Sequence, residues 1–171
     1  MDLSTLANVV NAVAVTAGVL FAVVQLRDYR HHRRHEGMLN LVRSFENPTF
    51  SKALRRVIEL PDNVTADQIR QLLGSEGEDV IVHVTATWEA IGILVFHEEL
   101  TLDIVDDFFS GPILISWRKL LPYTSYLREH YERETWSEWF QWLAERMMER
   151  ESKVAAVPAY LAHRNWKKAA E

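Results

Sequence analysis

EGEDVIVHVTATWEAIGILVFHEE, residues 76–99, is apolar on nearly every side of a helix, through Val80, Ile81, Val84, Trp88, Ile91, Leu94, Val95 and Phe96. A helix that is hydrophobic all round belongs in an interior. We therefore read this segment as the central helix of a bundle. The competing reading, a second membrane span, would put His83 and Glu89 inside a bilayer, where a charge is expensive.

The flanking segments supply the helices that would surround it. Asn47 and Pro48 open one in which Phe50, Leu54, Val57 and Ile58 are apolar, Lys52, Arg55 and Arg56 are solvated, and Pro61 marks the end. Three helix starts carry capping-box spacing, a hydroxyl followed three residues later by an acceptor: Thr65 with Gln68, Ser75 with Glu78, and Thr135 with Glu138. Thr101 to Phe109 predicts a short helix. GPIL at 111–114 starts another, with Pro112 in its first turn, Trp117 inward, and Pro122 as a kink or restart. Trp136, Trp139, Phe140, Leu143 and Met147 follow the spacing of one helical face, with Glu138, Glu145 and Arg146 outside. That pattern reads as a core stripe. No alternating strand of useful length occurs, so the fold class is all-α: a bundle over residues 36–151 and a tail helix over 152–171, where Tyr160, Leu161 and Trp166 stand beside His163, Arg164, Lys167 and Lys168.

Residues 1–26 have a different character. Between Asp2 and Arg27 lie 24 uncharged residues, and at about 1.5 Å per residue they are long enough for a hydrocarbon core roughly 30 Å thick. We read one N-terminal transmembrane helix. A cleaved signal peptide would need a basic start and a small-residue cleavage site, whereas this segment starts acidic and runs straight into RDYRHHRRH at 27–35. Arg27, Arg30, Arg33 and Arg34 follow the span and no Lys or Arg precedes it, so the positive-inside rule predicts a single-pass protein of the inner membrane, N-terminus outside and C-terminal domain cytoplasmic. The basic stretch would meet anionic headgroups of the lipid bilayer. His31, His32 and His35 do not make a metal site on this reading, because the interleaved arginines repel a cation. Beyond it, EGMLNLVRSFENP continues as helix with Met38, Leu39, Val42 and Phe45 on one face.

Within the span Ala14, Gly18 and Ala22 recur every four residues, with Ala7, Asn11 and Gln25 near the same face. Small residues at this spacing let backbones approach, and a buried Asn can hydrogen-bond across the contact, so the face is a candidate for a homodimer through the anchor. Against it stands the plain abundance of Ala and Gly in transmembrane helices.

Composition narrows the function classes. The absence of cysteine removes disulfides, thiolate metal sites and cysteine nucleophiles. A net charge of -5 argues against nucleic acid as a partner. Six Trp, seven Phe and five Tyr give enough apolar surface for a packed core. No phosphate-binding glycine loop, GxSxG elbow or HExxH is present. Glu89, His97, Glu98 and Glu99, with His83, are the one group that could assemble a metal or acid/base site, but no Glu is followed three residues on by the His that a di-iron bundle uses. Glu89 reads instead as a buried carboxylate held by a cation such as Arg118 or by a backbone donor. We therefore expect no enzymatic activity, no cofactor and no metal.

EGMLNLVRSFENPTF (36–50), ATWEAIGILV (86–95), DDFFSGPILISWRKL (106–120) and ETWSEWFQWL (134–143), behind an apolar helix and a basic junction, resemble a bacterial family, domain-of-unknown-function family 4760. The resemblance spans nearly the whole chain and implies a small anchored helical protein without supplying an activity. The expected function is a membrane-tethered interaction or scaffold module with an unidentified cytoplasmic protein partner. Its alternatives are an accessory subunit of a larger membrane complex, and a metal-dependent enzyme or sensor built on Glu89 and His97.

Overall fold

The computed structural model describes residues 14–26, 43, 47–62, 64–153 and 157–167. Among these residues the chain is all-helical, with α1 at Ala14–Leu26, α2 at Pro48–Ile58, α3 at Ala66–Leu73, α4 at Gly77–Phe96, α5 at Leu102–His130, α6 at Glu138–Lys153 and α7 at Ala159–Ala162.

The central position of residues 76–99 is the architecture itself: α4 packs against α2, α3, α5 and α6. Trp88 is 0 % exposed at its middle, edge-on to Phe50 at 5.6 Å and tilted against Phe109 and Phe140 at 6.2 and 6.4 Å. Val84, Ile91, Val105, Ile113, Leu120, Leu143 and Met147 close the core around it. Each such side chain removed from water contributes about 1.5–3 kcal/mol. The helical run Ala66–Phe96, which joins α3 to α4, is long and apolar enough to cross a membrane by length and composition, and α4 within it is the helix on which α2, α3, α5 and α6 pack. Its outward residues stay apolar at one face, where Val82 is 60 % and Phe96 52 % exposed.

Two helix starts follow the sequence closely. Asn47 accepts the Thr49 N–H at 2.9 Å ahead of Pro48, and Thr65 with Gln68 forms the reciprocal capping box. Thr101 likewise caps α5 through the Ile104 N–H. A buried lysine ties these elements together: Lys119 of α5 donates to the Leu60 carbonyl and lies 2.6 Å from the Asp62 carboxylate, which this contact holds below the usual carboxylate range.

Several expected boundaries differ. Ser75 does not cap a helix, because Gly74 at φ 69° ends α3 and a 3-10 turn over Gly74–Glu76 feeds directly into α4. The break expected between residues 109 and 111 is absent, and α5 passes through both Pro112 and Pro122. An interior proline costs about 3 kcal/mol, but Phe109, Ile113, Ser116, Trp117, Leu120, Tyr123 and Thr124 are buried along the same helix, and their packing holds it continuous. Thr135 does not cap α6 either, since its hydroxyl takes the Arg133 Nε–H and Ser137 sits at φ 56° in the capping position. The α6 stripe is Phe140, Leu143, Ala144 and Met147; Trp139 is half-buried, and Trp136 falls outside the helix at 38 % exposure. The tail shows one helical turn, α7, with Tyr160, Leu161 and Trp166 exposed.

All thirteen described residues of α1 are exposed, Phe21 at 65 % among them, so this apolar helix buries nothing against the bundle. Ala14, Gly18 and Ala22 lie on it with open space beside Gly18. Asn11, Arg27, Arg30, Arg33 and Arg34, with Met38, Leu39, Val42 and Phe45, lie outside the described residues.

Candidate functional site

The start of α6 is an unusual helix terminus. Helices leave their first N–H groups without intrahelical partners, and a side chain at the preceding position usually accepts one of them from extended backbone. Ser137 has the left-handed conformation instead. The acceptor comes from another helix: the Glu89 carboxylate of α4 takes the Phe140 N–H at 2.7 Å. The expectation of a backbone donor for Glu89 is thereby met, while Arg118 lies elsewhere, paired with Asp62 at 3.5 Å.

Burial is the largest influence on this carboxyl and pushes it above the usual range; the Phe140 and Trp139 N–H groups and Arg128 act downward, and Glu138 acts upward. A carboxyl raised in the folded state relative to the unfolded one binds its proton more tightly when folded. Its contribution to stability is thus greatest when protonated and declines as pH rises from the ordinary carboxylate range through the raised value. Glu89→Gln, which keeps an acceptor oxygen and has no charge to desolvate, flattens that part of the pH–stability profile. Its urea midpoint at neutral pH equals or exceeds that of the parent, whereas Glu89→Ala, without an acceptor, costs about 1 kcal/mol. A steeper profile for Glu89→Gln would contradict this reading.

Beside Glu89 opens a cavity of about 370 Å³ between α3, α4, α5 and the turn before α6. Its lining includes Arg70, Glu78, Tyr123, Tyr131 and Trp136. Arg70 lies over the Tyr126 and Tyr123 rings at 4.7 and 5.6 Å and pairs with Asp67 at 3.2 Å and Glu78 at 3.9 Å. Tyr131 and Trp136 stack at 5.3 Å with an interplanar angle of 14°. The turn that carries them is clamped from α5, where Arg128 donates to the Trp136 carbonyl at 2.9 Å and to the Gln141 side chain at 2.8 Å. Phe96 of α4 with Trp139 and Trp142 of α6 forms a second aromatic group, with centroids 4.8 to 6.1 Å apart.

The remaining acid and imidazole candidates do not converge with Glu89. His97 is exposed at the end of α4 against Phe96, His83 lies beside Phe50, and Glu98 adopts φ 58° where the chain leaves the helix. Among the described residues no group of three or more His, Asp or Glu side chains is arranged to hold a metal ion. Sequence reading singled out Glu89 but missed Arg70, Arg128 and the Tyr131–Trp136 pair. The only signal for the pair was an aromatic excess, and their juxtaposition depends on the left-handed turn residues Glu132 (φ 49°) and Ser137 (φ 56°), which carry no glycine to announce them.

The bundle and its α4–α6 junction define an all-helical domain in which the half-buried Glu89 sits beside an aromatic-walled cavity. The family is shown by sequence: residues 12–147 match the family model described as Domain of unknown function (DUF4760), and the chain belongs to that family. No curated protein and no solved structure matches it.

Proposed function

We propose that the protein is a membrane-tethered helical interaction module, in which α1 is the described part of a single N-terminal span and the bundle presents a docking face on the cytoplasmic side. The observation that carries this is the complete exposure of α1: a helix of Val, Ala, Leu and Phe with no covered side belongs in lipid rather than water. Two further facts support it. The family match begins at residue 12, within the apolar segment, so helix and bundle are matched together. Phe96, Trp139 and Trp142 give the bundle a partly exposed aromatic face of the kind that interfaces favour.

Full-length protein, expressed beside a fragment beginning at Glu36, is expected to stay with the membrane through carbonate extraction while the fragment is released. If both are released, residues 1–26 are not an anchor and the proposal fails. Resistance to extraction by the fragment alone would instead place the membrane contact on the bundle.

A further inference from the structure

We infer that the cavity beside Glu89 is a receptor for an alkylammonium or guanidinium group, supplied by a basic side chain of the partner that the module binds; this rests on the interaction-module reading but not on the membrane anchor.

The charges of the lining set the sign. Arg70 and Glu78 are matched to each other, with Asp67 as a second partner for the guanidinium. Glu89 remains, and the hydrogen bond that holds it comes from the neutral Phe140 backbone N–H, which orients a carboxylate without cancelling its charge. From α5 and α6 it is faced by Arg128 and Glu138, which act in opposite senses. Arg128 is moreover occupied by the Trp136 carbonyl and Gln141. The cavity thus carries one negative charge in excess.

The walls set the chemistry of the cation. Tyr131 and Trp136 line the cavity as a stacked pair, with Tyr123 deeper in, and aromatic surfaces near a fixed carboxylate attract an organic cation through the ring quadrupole. A bare metal ion would want several oxygen ligands, and among the described residues no three acidic or imidazole side chains converge to supply them. A volume of about 370 Å³ lies in the range of small-molecule pockets and exceeds what one side-chain head group needs, so a stem can enter with it. The site is also reachable, since Trp136 is 38 % and Tyr131 57 % exposed.

The experiment is a titration of the full chain, solubilised in detergent, followed through the indole N–H resonance of Trp136. The probes are butylammonium, butylguanidinium, neutral butanol, and an arginine-containing peptide beside its alanine counterpart. Both cations are expected to shift the resonance saturably in the millimolar range and butanol to leave it in place. Glu89→Gln should weaken cation binding by about tenfold or more. Trp136→Leu, an exposed substitution that leaves the core intact, should weaken binding as well, read from the Tyr131 resonances. Tighter binding of the arginine peptide than of butylguanidinium assigns the site to a protein side chain, and equal binding assigns it to free amines. A shift by butanol equal to that by the cations, no saturable shift at all, or undiminished binding by a folded Glu89→Gln protein overturns the inference. Because the readout does not involve the membrane, release of the full chain by carbonate would leave this result standing or falling by itself.

Discussion

Trp88→Ala is expected to lower the unfolding free energy of the bundle by about 3–5 kcal/mol, against a total of about 5–15 kcal/mol for a domain of this kind. The size follows from position. Trp88 is fully buried halfway along α4, and its ring touches aromatic side chains from three other helices, Phe50 of α2, Phe109 of α5 and Phe140 of α6. Truncation leaves a cavity bounded on three sides by rigid rings that cannot collapse into it without moving their helices. Urea unfolding of the full chain in mild detergent, followed by near-ultraviolet circular dichroism, measures the loss. A midpoint within error of the parent would mean that α4 is not the centre of the core.

That this residue sits at the centre is legible in the sequence, because an all-round apolar helix has only a bundle interior or a membrane to occupy. The same logic found α2 and α3, whose starts are written in contiguous residues: Asn47 with Pro48, and Thr65 with Gln68. It failed where a local rule competes with tertiary packing. Pro112 and Pro122 punctuate the sequence, yet α5 continues through them because its buried residues on either side pack as one face. Thr135 has capping-box spacing, yet the turn before α6 is shaped by Arg128 and by left-handed Ser137, and the cap arrives from α4, 51 residues away in sequence. Glu89 was recognisable as the carboxylate that an apolar helix must account for. A backbone donor was one of its two expected partners, but that the donor would be the Phe140 N–H was not legible, because backbone N–H groups have no sequence signature. The cavity wall was hidden for a related reason: Arg70 of α3 and the Tyr131–Trp136 turn come from separate segments and meet only once the helices have docked.

The same substitution at two glycines should move stability in opposite directions. In an unconstrained helix, Gly→Ala stabilises by about 1 kcal/mol, since alanine loses less conformational entropy. Gly111 of α5 is exposed and an added Cβ would meet nothing within 4 Å beyond its chain neighbours and its own helix backbone; the Pro112 ring that follows takes back part of the gain, so Gly111→Ala should raise stability by up to about 0.5 kcal/mol. Gly92 of α4 is buried, and a Cβ there would stand 2.5 Å from the Trp139 carbonyl oxygen and 3.0 Å from its carbon. Those are backbone atoms of the first turn of α6, which cannot swing aside as a side-chain tip could. The start of α6 must therefore retreat, stretching the Glu89 contact to Phe140 and loosening the Phe96–Trp139 pair. Overpacking of this kind costs about 1–3 kcal/mol, which outweighs the propensity gain, and Gly92→Val, with a larger branched side chain, should cost more than Gly92→Ala. Urea midpoints of the three variants decide the matter. If Gly92→Ala stabilises as Gly111→Ala does, the close approach of α4 to α6 is not a constraint on this fold, and the geometry that brings Glu89 to the α6 terminus loses its support.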